Sequence, residues 1–418
     1  MIAVAKVLRW SGAVILWTVV VLCLTFTVLP HFLDRIYYRG PASAHFDGAR
    51  FFNPDGDDDR LPAGRSRAGF IARRLLGDSA EPVWPDHVGV RPSKPAARVQ
   101  GQAMRVTWIG HATVLIQTSG LNILTDPVWS DRAGPFGFGP QRVAAPGVRF
   151  EDLPKIDLVL VSHNHYDHMD LTTLKRLWDR DEPIIVTSLG NDALLRAAGI
   201  PGRNAVTDCG DCPGVEALDW GEVTSASRFN NPWGGAQPKA PVRLAFVHVT
   251  RNHHWGSRWF ADRNRALWSS FVVQLPHGNI FFAGDTGLGD GKWPAEAAAL
   301  GPIRLALIPI GAFRFEEGQM ASGSHIGPQG ALRVWDGLGR PFALPIHWGT
   351  FRLSREGYAT PPRMLDAMLR CAGSDPSRFR AAAIGVPFDV PAPGAAAPRP
   401  DMARVEACAR AGRFDALR

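Results

Sequence analysis

Four side chains able to hold a metal ion stand within six residues, in the segment His163-Asn164-His165-Tyr166-Asp167-His168. Three imidazoles and one carboxylate on so short a segment cannot all close on one tetrahedral ion. They can divide between two neighbouring ions, with His163 and His165 facing one, and Asp167 and His168 facing the other. An isolated histidine requires no such reading. His31, His45, His87, His248 and His277 are expected to be surface or hydrogen-bonded core residues. His111 is left with two readings, a brace for the metal loop or a buried histidine bonded between strands.

Such a cluster works only if the chain delivers it to a fixed place. The run 156–161 is apolar apart from Asp157, which predicts a buried strand that ends by releasing the cluster onto a loop. Three further donors follow later predicted strands: His254 after 242–249, Asp285 after 279–284, and His347 after 342–346. A carboxylate at Asp285 can bridge two cations, and Gly284 before it lets backbone approach closely. Short β-rich runs at 104–109, 112–118 and 121–125, the last two joined by Ser119-Gly120, predict an antiparallel meander. Strands at 157–162, 184–187, 223–228, 270–275 and 305–308 alternate with helices near 171–178, 191–198, 328–335 and 362–370. Meanders mixed with strand–helix alternation predict an α/β (α+β) fold of two sheets covered by helices.

The chain has 418 residues, 45% hydrophobic and 20% charged, enough for a sizeable core and too apolar for wholesale disorder. Its net charge of +7 is spread over scattered arginines without a basic stripe, so nucleic acid is not an expected partner. Five cysteines are too few for a disulfide scaffold; Cys209 and Cys212 are either a local disulfide or two inert thiols.

No charged residue occurs between Trp10 and Leu33, a run that exceeds the apolar core of a cleavable signal peptide and ends without a small-residue cut site. A single-pass anchor is expected. Lys6 and Arg9 precede it, which places the amino terminus in the cytoplasm and the body on the periplasmic side of the inner membrane. The expected organisation is a transmembrane anchor over 1–40, an irregular wrapping extension over 41–100, a catalytic domain over 101–390 and a peripheral tail over 391–418.

Over roughly residues 50–370 the sequence resembles the metallo-β-lactamase superfamily, and within it the N-acylphosphatidylethanolamine-hydrolysing phospholipase D family. The likeness lies in Arg50-Phe51-Phe52-Asn53-Pro54, Thr107 to Val114, Leu124-Thr125-Asp126-Pro127, Ser162 to Asp170, His254-Trp255, Phe282 to Gly287, Ile308 to Ala312 and Ile346-His347-Trp348-Gly349-Thr350-Phe351. The resemblance implies an αββα sandwich with two zinc ions. His163, His165 and His254 would hold the first, Asp167, His168 and His347 the second, and Asp285 would bridge. It selects His254 over His253 and gives His325 a part in handling phosphate, so Asp167, Asp285 and His325 are the expected catalytic residues. The chain departs from the family after His325, at Ile326-Gly327-Pro328-Gln329-Gly330, and around Arg314, at Phe313-Arg314-Phe315-Glu316-Glu317. The implied activity is hydrolysis of a membrane phospholipid at its head-group phosphodiester, with the bilayer as partner. A lactonase, another phosphodiesterase or a di-iron oxidoreductase would use the same frame, although an all-imidazole pair at 163 and 165 suits zinc better than iron. Oligomeric state is left open.

Overall fold

The computed structural model describes residues 2–56, 84–203, 213–228, 242–259, 261–315, 323–414 and 417. The candidate pair Cys209 and Cys212 and a helical patch expected near 70–76 lie outside these residues.

A long helix, α1 (Ile2–Leu33), opens the chain. None of the described residues in its Arg9–Leu29 stretch is buried, and the stretch is long and apolar enough to cross a membrane, a test that a signal sequence also meets. The body begins with β1 (Met104–Gly110), β2 (Thr113–Thr118) and β3 (Leu121–Thr125). They form the expected antiparallel meander, and both residues of its two-residue turn have positive φ, Ser119 at 52° and Gly120 at 77°. β4 (Leu158–Val161), β5 (Ile184–Ser188) and β6 (Gly214–Leu218) then add in parallel. The β4-to-β5 crossover contains α2 (Leu171–Asp181) and the next contains α3 (Asn191–Ala197). Asp170 starts α2 by accepting a hydrogen bond from the Thr173 backbone N–H.

The second sheet runs through β7 (Val223–Arg228), β8 (Val242–Thr250), β9 (Ser270–Gln274) and β10 (Asn279–Phe282), all antiparallel. It continues in parallel with β11 (Ile303–Pro309) and β12 (Phe342–Ile346). The helices α4 (Trp293–Ala298), α5 (Pro328–Gly337), α6 (Thr360–Cys371) and α7 (Met402–Arg410) accompany it. A short β13 (Phe388–Asp389) pairs with β1, so the first sheet has seven strands and the second six.

The strand period decides the layers. Along β4, Leu158 and Leu160 face the second sheet and meet Phe271, Phe282, Leu305 and Ile346. Val159 and Val161 face the other way, into the cluster holding Leu174 and Leu177 of α2 and Leu195 of α3. Trp293, Trp335, Met364 and Leu369 cover the outer face of the second sheet. The result is a mixed α/β sandwich of two sheets clad in helices, as the strand pattern predicted.

Elements that carry little periodicity are the ones the pattern did not predict: β6, α4, β13 and α7. The segment expected to be a peripheral tail carries α7, whose Val405 and Cys408 are buried with Phe414 against α5 and α6. A disulfide, Cys371–Cys408, joins α6 to α7. No spacing rule singles out that pair, because the two cysteines meet only after α7 has folded back.

Candidate metal centre

Four strands end on one edge of the sandwich, and each releases a donor there. β4 is followed by Ser162 and the His163–His168 loop, β8 by His254, β10 by Asp285, and β12 by His347. All seven residues expected to bind metal come together. His163 Nε2 and His165 Nδ1 are 2.8 Å apart, and His254 Nε2 is 3.5 Å from His165 Nδ1. Beside them, Asp285 Oδ2 is 3.2 Å from His168 Nε2, and Asp285 Oδ1 is 3.0 Å from His347 Nε2. Asp167 Oδ2 lies 3.5 Å from both of those imidazole nitrogens. Asp285 Oδ2 is also 3.9 Å from His254 Nε2.

Two observations test whether this donor set fits metal ions. The Nε2 atoms of His168 and His347 and the Oδ1 of Asp285 are buried and make no hydrogen bond, although they crowd together. Orphaned polar atoms inside a protein are costly, and a shared cation satisfies them all. The opposite ring nitrogens are anchored, so each free nitrogen is aimed. His168 Nδ1 meets Asp126 Oδ2 at 2.6 Å, His254 Nδ1 donates to the Ser324 carbonyl at 2.8 Å, and His347 Nδ1 donates to the Gly311 carbonyl at 2.7 Å. The residues present therefore fit bound metal.

Charge points the same way. Burial pushes the imidazoles of His163, His165 and His254 down, His165 to about 4 and His254 to about 3, which leaves them neutral with lone pairs to give. Burial acts on His168 and His347 too, but Asp285 and Asp167 outweigh it, holding His168 well above its ordinary value and pushing His347 up to about 9. Burial opposes ionisation of Asp167 and Asp285, yet His168 foremost keeps both well below the usual carboxylate range. The second cluster thus draws positive charge, which a divalent ion supplies.

The surrounding residues are placed as follows. His111 Nε2 is 3.0 Å from Asp167 Oδ2, so His111 braces the loop rather than bonding between strands. His253 turns away to Asp55, 3.0 Å distant, and stands outside both clusters. His325 Nδ1 lies 3.8 Å from Asp285 Oδ2, and its ring is 5.0 Å from that of His254. Arg314 is buried, its backbone N–H given to Glu356. Asn53, within the expected wrapping extension, donates to the His254 carbonyl at 2.9 Å. His45 and His248 pair with Asp219 and Gln274, away from the cluster.

One functional residue escaped the sequence reading. Asp126, fully buried, accepts from the Ser162 N–H at 2.7 Å and the Ser162 hydroxyl at 2.6 Å besides facing His168. The signal was present in Leu124-Thr125-Asp126-Pro127, a carboxylate directly after an apolar strand. Its partner lies 42 residues away, so spacing did not reveal it. Backbone strain gathers here as well, with positive φ at His111 (53°), Asp126 (30°) and His347 (62°). Asp126→Asn leaves His168 without a carboxylate to fix its ring, and is expected to weaken metal binding by about 10–100-fold, the usual cost of losing such a partner. A chelator-competition titration measures it; unchanged affinity would refute the role.

Comparison with known proteins agrees with this geometry. Residues 121–348 match the beta-lactamase superfamily domain. An uncharacterized protein of Mycobacterium tuberculosis is 32% identical over 335 residues, 78% of this chain and 78% of that protein. N-acyl-phosphatidylethanolamine-hydrolyzing phospholipase D 1 of Caenorhabditis elegans is 35% identical over 62% of this chain and 67% of its own length. The mitochondrial enzyme of that name from Saccharomyces cerevisiae is 32% identical over 64% of this chain, which spans about half (52%) of the yeast protein. The chain belongs to the metallo-β-lactamase superfamily, as a metal-dependent hydrolase related to the N-acylphosphatidylethanolamine-hydrolysing phospholipases D.

Proposed function

We propose that this chain is a membrane-anchored phosphodiesterase of phospholipase D type that cleaves N-acylphosphatidylethanolamine-like lipids. In this reading it holds two zinc ions, one through His163, His165 and His254, the other through Asp167, His168 and His347, with Asp285 between them. The observation that carries the reading is the reach of Asp285, whose carboxylate is 3.0 Å from His347, 3.2 Å from His168 and 3.9 Å from His254. One side chain therefore touches both clusters. The named relatives from nematode and yeast support the lipid as substrate class.

The zinc pair, when bound, supplies Lewis acidity toward the phosphoryl oxygens and a nucleophilic water at neutral pH. The chain's own residues orient the reaction. Asp167 and Asp285 stay ionised and accept protons or hydrogen bonds from water, and His111 holds Asp167 in place. Burial pushes His325 down to about 3, so it meets the substrate as a neutral imidazole. It can give a hydrogen bond to a phosphoryl oxygen without bringing a second charge.

Two features support the membrane assignment. None of the described residues in the apolar stretch Arg9–Leu29 is buried, and Lys6 and Arg9 stand at or before its start, which favours a single-pass anchor with the amino terminus in the cytoplasm. The Cys371–Cys408 disulfide suits an oxidising space, which supports a body on the periplasmic side of the inner membrane. Its partners are the bilayer and the phospholipid, and the scattered arginines offer no track for nucleic acid.

Elemental analysis should find two zinc ions per chain, and the loaded protein should convert N-acylphosphatidylethanolamine into phosphatidic acid and an N-acylethanolamine. Hydrolysis of soluble esters or lactones with no turnover of the lipid would move the chain to another activity of the superfamily.

A further inference from the structure

The segment just after α1 is fastened to the body. Asp34 receives paired hydrogen bonds from Arg50 (3.0 and 3.0 Å) and from Arg265 (2.7 and 2.7 Å), and the Tyr37 hydroxyl donates to Asp262 at 2.7 Å. An extended chain advances at most about 3.5 Å per residue, so whatever plane α1 leaves at Leu33 passes within a residue or two of this clamp. Close to that exit, the ring of Trp259 lies 5.2 Å from the Arg35 guanidinium and 5.8 Å from the Phe136 ring.

Phe136 belongs to the loop Gly134-Pro135-Phe136-Gly137-Phe138-Gly139-Pro140. Its two rings are 83% and 73% exposed, more than any other aromatic side chain outside α1 among the described residues. The loop is nonetheless built. The Ala133 N–H donates to the Pro140 carbonyl at 3.0 Å, Arg132 donates to the Gly139 carbonyl at 3.0 Å, and the Phe138 N–H donates to Pro135 at 2.9 Å. A closed loop that holds two phenylalanines in water loses the hydrophobic gain it would have if they were covered.

Resting on the reading of α1 as a bilayer span, we propose that the tip Phe136–Phe138, with Trp259 and Arg35, is a second membrane contact that inserts at the lipid head-group level beside the anchor. Aromatic rings and arginine are the side chains that favour that zone, rings among the upper acyl chains and guanidinium among the phosphates. A second copy of the chain or a soluble partner would need no such proximity to the helix exit. The same patch is wired to the metal loop. Asp262 accepts the N–H groups of Arg258 and Trp259, and Arg258 donates to the carbonyls of Asn164 (3.1 Å) and Met169 (2.8 Å) while lying 3.8 Å over the Tyr166 ring. Inserting the tip therefore presents the His163–His168 loop to the bilayer surface, where a lipid head group reaches it without leaving the membrane.

The test is hydroxyl-radical footprinting of the full chain in phospholipid nanodiscs carrying one chain each, which excludes a second copy as the cover. Phe136 and Phe138 should oxidise several-fold more slowly, per exposed area and after scaling for each side chain's intrinsic reactivity, than Phe246 and Val386, which are 39% and 55% exposed on the body. Rates equal to those controls in chains that have incorporated would overturn the second contact and leave the anchor standing. Failure to incorporate would overturn the anchor reading and this one with it.

Discussion

If the proposed dinuclear site is right, Asp285→Asn is expected to cut turnover by on the order of 10³-fold, because several kcal/mol of charge stabilisation would depend on two ions held together and each 1.36 kcal/mol is tenfold in rate. The substitution keeps the side chain's shape, so the fold should survive. What changes is, among the described residues, the only carboxylate whose oxygens approach His168, His254 and His347 alike. An amide offers one neutral oxygen in place of a charge shared over two, in a site almost closed to water. Metal content should fall below two ions per chain in the same preparation. Full activity with two ions retained would sink the dinuclear model.

Gly284→Ala should be a strongly disruptive small change near the site. Gly284 has φ +61°, and a Cβ there would stand 2.6 Å from the Ser162 Cβ and 3.2 Å from the Ser269 carbonyl. Left-handed backbone costs an alanine roughly 1–2 kcal/mol. Overpacking adds typically 1–3 kcal/mol. Ser162 cannot step aside cheaply, since its hydroxyl bonds Asp126 and lies 2.9 Å from His163 Nδ1. The expected loss is about 3 kcal/mol of stability, with reduced metal loading, read from denaturant unfolding of the purified chain. Ser162→Gly in the Gly284→Ala background separates contact from backbone strain. If the clash carries the effect, the pair is less damaging than the sum of the singles, and strict additivity would leave strain alone as the cause.

The two substitutions also mark where sequence reasoning held and where it stopped. Asp285 was readable because a donor directly after an apolar strand is a local pattern, and so were His254, His347 and the loop His163–His168. The strands themselves were readable for the same reason, since a short apolar run such as 158–161 records burial on both faces. Asp126 was not assigned, because its role exists only once β3 and β4 lie side by side. The disulfide between Cys371 and Cys408 was missed on the same ground, and β6 and α7 because too few of their residues repeat with a clear period.

By itself, then, the sequence determined the donor chemistry, the order of donors along the chain and the sandwich architecture, all of which follow from side-chain type and hydrophobic period within a few residues. The tertiary structure decided the rest. It turned His254 inward and His253 toward Asp55, set His111 against Asp167, chose which ring nitrogen of His168, His254 and His347 is free, and held His347 at φ 62°. Each of these depends on contacts between segments distant in the chain and on backbone geometry that packing imposes, and neither leaves a periodic trace in the order of residues.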